Sequence, residues 1–284
     1  MTEHRTTVSL VLGGGGARGL AHIGVIQWLT ENGYIIRSIA GSSMGALVGG
    51  IYAAGKLDIY SEWVLALERR GVMWLLDPSF RRTGLFKGER IMVVLRKLIG
   101  DCAIEDLPIA FTAVATDLGS RKEVWLREGK LFDAIRASIA TPLLFTPFEY
   151  RGRKLLDGAL VNPIPIAPTL NDTTDLTVAV NLSGRAVWQP SPLSGDSSPD
   201  GNGHPVSIKH LPRAPDAPTG GMIDIALAAM DTMQNTIARL KLAAYSPDVT
   251  VEIPRNACGF HEFWRGEEMV RLGRERAARA FTST

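Results

Sequence analysis

Three short segments of this 284-residue sequence carry residue types able to do chemistry. The first, Leu12-Gly13-Gly14-Gly15-Gly16-Ala17-Arg18-Gly19, spaces Gly14, Gly16 and Gly19 as Gly-x-Gly-x-x-Gly. Glycines in that pattern bare backbone amides ahead of a helix, where they hold either a pyrophosphate or the oxyanion of an acyl-transfer intermediate. The second, Gly41-Ser42-Ser43-Met44-Gly45, is Gly-x-Ser-x-Gly. Its glycines permit a sharp strand-to-helix turn, leaving the Ser43 hydroxyl beside the positive end of a helix as a nucleophile. The third is Asp157-Gly158, closing the apolar run Leu155-Leu156. Burial there raises a carboxyl pKa and makes the group a better proton acceptor.

A dinucleotide site needs more than the glycines. It calls for an acidic residue about 20 positions on, at the end of the next strand, and Ile36-Arg37-Ser38-Ile39-Ala40 has none. No Gly-Lys-Ser or Gly-Lys-Thr follows the loop, so a Walker-type phosphate site fails too. Nicotinamide-dependent oxidoreduction is thus a weaker reading than oxyanion binding. A serine nucleophile requires a base. Asp157 is one candidate. A Ser-Asp-His triad in chain order, with Asp172 or Asp175 and then His261, is the other. Against the triad, its elbow normally follows several strands, and here one precedes the strand–turn–helix that carries Ser43. His22 reads as a packing or solvating residue on the first helix, and His204 and His210 fall in an irregular stretch. The scattered histidines and the two cysteines, Cys102 and Cys258, match neither a metal site nor a disulfide framework. No metal and no cofactor are expected.

The elements that must position these residues follow from periodicity. Apolar runs predict strands at Val8–Leu12, Ile35–Ala40, Ile109–Thr116, Glu123–Leu126, Lys154–Leu156, Leu176–Leu182 and Val249–Ile253. Helical spacing predicts helices at Leu20–Leu29, Met44–Ala54, Ile59–Arg69, Gly88–Ile99, Leu131–Ile139, Met222–Tyr245 and Glu267–Phe281. Alternating strands and helices make an α/β fold with a mostly parallel sheet. In the Met222–Tyr245 helix, Ile223, Leu227, Met230, Met233, Ile237, Leu240 and Ala244 form one stripe expected to pack on that sheet. The interval 183–221, rich in Ser, Pro, Gly, Asp and Asn, reads as a flexible surface loop inserted late into a single domain spanning 1–284.

Composition excludes several classes. Hydrophobic residues at 45% and charged residues at 21% suit a folded globular chain. Basic and acidic side chains nearly balance, 31 against 29, so there is no field to recruit nucleic acid. Ser38–Gly55 is uncharged and nearly long enough to span a bilayer, but Gly41, Ser42, Ser43, Gly45, Gly49, Gly50 and Gly55 suit a buried strand, turn and helix instead. The N-terminal apolar stretch is too short for a signal peptide, and a cytoplasmic location is expected, with transient contact at a membrane surface. Of the 29 glycines, 12 lie between Gly13 and Gly55, which concentrates the excess in the two glycine motifs.

Taken in order, Gly14-x-Gly16-x-x-Gly19, Gly41-x-Ser43-x-Gly45 and Asp157-Gly158-Ala159 resemble the patatin-like phospholipase family. So do Leu20-Ala21-His22-Ile23-Gly24-Val25, Thr83-Gly84-Leu85-Phe86-Lys87-Gly88, Ala134-Ile135-Arg136-Ala137-Ser138 and Asp157 through Pro165, in the manner of its bacterial branch. The likeness is good over 8–182 and looser beyond. It implies a three-layer α/β/α fold and a Ser43–Asp157 catalytic dyad without histidine. It also implies an oxyanion hole at Gly14, Gly15 and Gly16, with Arg18, Gly19, Gly41, Gly45 and Gly158 supporting the motifs. The activity implied is hydrolysis of lipid acyl esters, of phospholipase A or lysophospholipase type. A lipid-binding or regulatory protein on the same fold is the non-enzymatic alternative, though it has no need of the full constellation. Ser42 stands where the family commonly has Thr, and Pro142-Leu143-Leu144-Phe145 replaces a Pro-Gly-Val-Phe type of segment. Those departures bear on substrate preference rather than on the chemistry.

Overall fold

The computed structural model describes residues 5–79, 83–187 and 221–282. In chain order they form β1 (Thr7–Leu12), α1 (Ala21–Glu31), β2 (Ile35–Ser42), α2 (Met44–Ala53), α3 (Leu57–Leu65), α4 (Arg69–Leu75) and α5 (Glu89–Ile99). There follow β3 (Ala110–Asp117), β4 (Lys122–Leu126), α6 (Leu131–Ser138), β5 (Phe148–Tyr150) and β6 (Arg153–Asp157). The chain ends with β7 (Leu176–Gly184), α7 (Met222–Tyr245), β8 (Val249–Pro254) and α8 (Gly266–Thr282).

One eight-stranded sheet runs β5-β6-β3-β2-β1-β7-β8, with β4 also paired to β3. The pairs β1–β2, β2–β3, β1–β7 and β7–β8 are parallel, while β4 and β6 run antiparallel to β3. The register on β3 decides where the chemistry sits. β2 pairs with Ala110 to Val114 and β4 with Ala113 to Asp117, so these two strands occupy opposite edges of β3. β6 pairs with Ala115 to Asp117, overlapping β4, and therefore continues the edge that β2 leaves. Ser42 ends one strand opposite Val114, and Asp157 ends the other opposite Ala115. The two strands meet end to end.

Alternation along β1 divides the core. Val8, Leu10 and Leu12 enter a large cluster with Ile23, Ile26, Leu47, Ile51, Ile135 and Val270, from helices on one face of the sheet. Each such fully buried side chain contributes about 1.5–3 kcal/mol. Val11 points the other way, into a small cluster with Ile164, Ile166, Ala179 and Ala238. The fold is thus α/β with three layers of unequal weight. α1, α2, α6 and α8 cover one face, and α7 with the segment 162–170 covers the other.

Several predicted elements need correction. The helix predicted over Ile59–Arg69 is two helices, because the backbone is extended at Glu68 and α4 starts afresh beyond it. β5 is absent from the predicted set; its three residues are too short to show alternation. Its signal is Arg151-Gly152, both at positive φ (48° and 73°), which closes a two-residue hairpin onto β6. The predicted stripe of α7 is rotated. Gln234 and Ala238 face inward with Leu242 and Tyr245, whereas Met233 and Leu240 are exposed. Polar anchors set that rotation: Asp231 pairs with Arg18 at 2.5 Å and Lys241 with Glu123 at 3.8 Å. The predicted loop also starts late, since β7 runs to Gly184, and residues 188–220 of it lie outside the described residues. Ser38–Gly55 folds as the end of β2, a turn and α2, nearly all buried. No helix among the described residues is long and apolar enough to cross a membrane.

Candidate active site

Ser43 occupies the turn between β2 and α2 with φ 54° and ψ −122°, a conformation that costs a residue with a Cβ about 1–3 kcal/mol. The surroundings hold it there. Its amide donates to Ser138 Oγ at 2.9 Å, and Ser138 in turn donates to the Val114 carbonyl at 2.6 Å. Its carbonyl accepts the Ala46 and Leu47 amides of the first turn of α2. Gly41 packs against the Gly45 carbonyl and Gly45 against the Leu12 carbonyl, at separations a Cβ would not permit. Ser42 donates to the Asn162 carbonyl at 2.7 Å, a bond available equally to threonine.

Ser43 Oγ donates to Asp157 Oδ2 at 2.8 Å, with Ser43 5% and Asp157 2% exposed. Asp157 is fixed from every side. Oδ2 also accepts from Thr141 Oγ1 at 2.7 Å, and Oδ1 accepts the Ala159 amide at 2.9 Å. Its own amide donates to the Ala140 carbonyl, and its carbonyl accepts from Thr116 Oγ1. Burial pushes the carboxyl pKa above its ordinary value, and the bonds from Thr141, Ala159 and Ser43 oppose that shift. Gly158 lies on the Val114 carbonyl, which lets the base loop pass the end of β2.

The glycine loop leaves β1 and enters a turn of 3-10 helix over Gly16–Leu20. The Gly13 and Gly14 amides are taken by the Val180 and Pro163 carbonyls at 3.1 and 2.9 Å. Among the described residues, the amides of Gly15 and Gly16 have no acceptor. The Gly14 amide is therefore not free to bind an oxyanion. Gly14 instead lies against Ser43 and Ala159, where a Cβ would be 2.5 Å from that of Ala159. Arg18, 4% exposed, donates from Nε to the Gly15 carbonyl, from Nη1 to Arg255 O and from Nη2 to Asp231. Because a trans peptide points its C=O and N–H in opposite directions, holding the Gly15 carbonyl aims the Gly16 amide away from Arg18. Gly19 abuts Met44 at the start of α2, linking the loop to the elbow.

His22 is neither solvated nor merely packed, as its sequence position suggests. It is fully buried, its Nε2 lies 2.8 Å from the Gly13 carbonyl, and desolvation lowers its pKa to about 4. A neutral ring with Nε2 as donor therefore holds the first glycine of the loop. The triad does not assemble. Asp172 accepts from Ser9 and Asp175 from Thr7, both on β1 toward the end remote from the elbow. His261 packs on Trp264. Gly16 serves close packing, since a Cβ there would be 2.5 Å from the Phe260 carbonyl. Among the described residues no group of His, Cys, Asp or Glu is arranged to hold a metal. Sequence reasoning missed Thr141 altogether, since a lone Thr between Ala140 and Pro142 matches no pattern.

Comparison with known proteins agrees with the sequence resemblance. The sequence profile of the family described as "Patatin-like phospholipase" matches residues 10–170. An uncharacterized NTE family protein of Mycobacterium tuberculosis is 38% identical, over 96% of this chain and 91% of that protein. Lysophospholipase nte1 of Emericella nidulans is 28% identical over 94% of this chain and 17% of its own length. Among solved structures, VipD from Legionella pneumophila covers 98% of this chain and 67% of its own, with a TM-score of 0.43 and 11% identity. The profile match and the mycobacterial relative together show that the chain belongs to the patatin-like phospholipase family.

Proposed function

We propose that the protein is a serine acyl hydrolase that cleaves carboxylic esters of lipids through Ser43 and Asp157. The observation that carries this reading is the 2.8 Å hydrogen bond from Ser43 Oγ to a buried carboxylate oxygen, at a strained turn heading a helix. Ser43 Oγ attacks the ester carbonyl carbon as its proton passes to Asp157 Oδ2. The carbonyl oxygen, now an oxyanion, is received by the amides of Gly15 and Gly16, with Gly14 serving close approach instead. Collapse of the intermediate expels the alcohol portion, which takes the proton from Asp157. Asp157 then removes a proton from water, and the resulting attack releases the fatty acid and regenerates Ser43.

The lysophospholipase among the relatives supports a lipid ester of phospholipase A or lysophospholipase type as the substrate class. Such substrates reside in membranes, so transient contact with a membrane surface accompanies the reading. We take 1–284 as one catalytic unit, because β7 pairs with β1 and α8 packs on α1, beyond the matched residues.

The test is fluorophosphonate labelling together with p-nitrophenyl ester turnover. Wild type is expected to label and turn over. Ser43→Ala is expected to do neither, with turnover down by about three orders of magnitude or more. Equal behaviour of the two proteins ends the proposal. His261→Ala is expected to retain most of its turnover; its collapse in a folded variant would restore the triad.

A further inference from the structure

Thr141 has no part in the reaction as described, yet it touches the atom on which the reaction turns. Its Oγ1 lies 2.7 Å from Asp157 Oδ2, the same oxygen that accepts from Ser43 at 2.8 Å. Thr141 is 5% exposed, so little water competes for the bond. Its amide donates to the Ile139 carbonyl at 2.7 Å and its carbonyl accepts the Phe145 amide at 2.8 Å. The backbone is thus pinned on both sides, and the hydroxyl is delivered to Oδ2 without a conformational search.

We propose that Thr141 is a positioning residue for acyl transfer, its hydroxyl clamping Asp157 Oδ2 so that this oxygen faces the proton of Ser43. A carboxylate rotates freely about its last torsion, whose preferences are broad. The Ala159 amide fixes one oxygen, and the Thr141 hydroxyl on the other sets the plane. The same bond governs charge. Among the three hydrogen bonds that counter the effect of burial on Asp157, that from Thr141 ranks first, ahead of Ala159 and Ser43. When Oδ2 receives the Ser43 proton, the Ser43 O–H bond breaks and its electron pair goes to the acyl carbon. Oδ2 then carries a hydrogen of its own. Thr141 Oγ1 has a second acceptor at hand, the Ile139 carbonyl at 3.4 Å, so its hydroxyl can turn aside without being left unpaired.

This inference rests on Asp157 acting as the base, and its test reads Asp157 directly as well as through turnover. Thr141→Val keeps the shape and removes the hydroxyl; Thr141→Ser keeps the hydroxyl. The pH dependence of kcat/KM for a p-nitrophenyl ester, and of the fluorophosphonate inactivation rate, is measured for each. For Thr141→Val the acid limb is expected to move up by about one pH unit and kcat to fall about tenfold with KM little changed. Thr141→Ser is expected to restore both. Unmoved midpoints, or a serine variant no better than valine, overturn the proposal, as does a loss confined to the amount of folded enzyme.

In parallel, the 13C resonance of the Asp157 carboxyl is titrated in wild type and Thr141→Val, with Asp157→Asn to assign it. A higher midpoint in the valine variant supports the proposal and an equal one overturns it, whether or not Ser43 labels. Absence of labelling in wild type would count against the hydrolase reading alone. Should Thr141→Val not fold, Thr141→Ala carries the same comparison.

Discussion

At the scale of single residues, Asp157 is caught between its charge and its burial. The unfolded chain ionises this carboxyl near its ordinary value of 3.8, whereas burial holds the folded value higher. Between those two values the unfolded state releases its proton first. Stability contributed at low pH is therefore lost as pH rises through the folded value, and the loss persists at neutrality. Asp157→Asn removes the charge and keeps an oxygen for the Ala159 amide. The variant is expected to be inactive yet to melt about 2–4 °C above wild type at pH 7. The advantage is expected to vanish toward pH 3.5, where both proteins are neutral at this site. Thermal unfolding monitored by circular dichroism across that range checks it; a variant no more stable at pH 7 would mean that the hydrogen bonds outweigh burial. Ser43 carries its own cost in its positive φ, so both residues of the pair oppose folding.

At the scale of elements, the segment that follows α6 runs from Thr141, on Asp157, to the surface at Leu143. Leu143 has φ 71° and is 39% exposed, at the position where the family's usual segment has glycine. An L-residue there costs about 1–2 kcal/mol. The turn persists because the Leu143 carbonyl accepts the Leu85 amide and the Leu144 carbonyl the Phe86 amide. Leu143→Gly is expected to stabilise the protein by about 0.5–1 kcal/mol, less than the full strain because glycine gains freedom in the unfolded chain. Urea midpoints measure it, with Leu143→Ala, which keeps the strain, expected to show no gain.

The elements themselves were legible wherever pattern and burial coincide. β1 and α2 are largely apolar, β2 and β6 close on short apolar runs that end at glycine or aspartate, and together they carry Ser43, Asp157 and the loop. The rotation of α7 was not legible, because Arg18 and Asp231, which pair across the fold, lie 213 positions apart. Nor was Thr141, whose role exists only through its distance to Asp157. Gly14 could not be told from Gly15 and Gly16 until the Pro163 carbonyl was found on its amide.

At the scale of the whole molecule, the stretch that matches the family profile cannot stand by itself. Residues 10–170 hold only the last three residues of β1 and none of its neighbour β7, and α1 but not α8, which covers it with Met269 and Val270. A fragment ending at residue 170 would leave one edge of β1 unpaired and the apolar face of α1 bare. It is expected to lack a cooperative urea transition and to be digested rapidly by protease, while the full chain gives a sigmoidal transition. β2 and β6 meet end to end along one edge of β3, and this has a further consequence. The interval between Ser43 and Asp157 is set by main-chain ladders to β3, with Ser138 and Thr141 fixing the two residues at its ends. A substitution at the exposed Leu143, which lies outside these ladders, therefore leaves the gap between Ser43 and Asp157 unaltered.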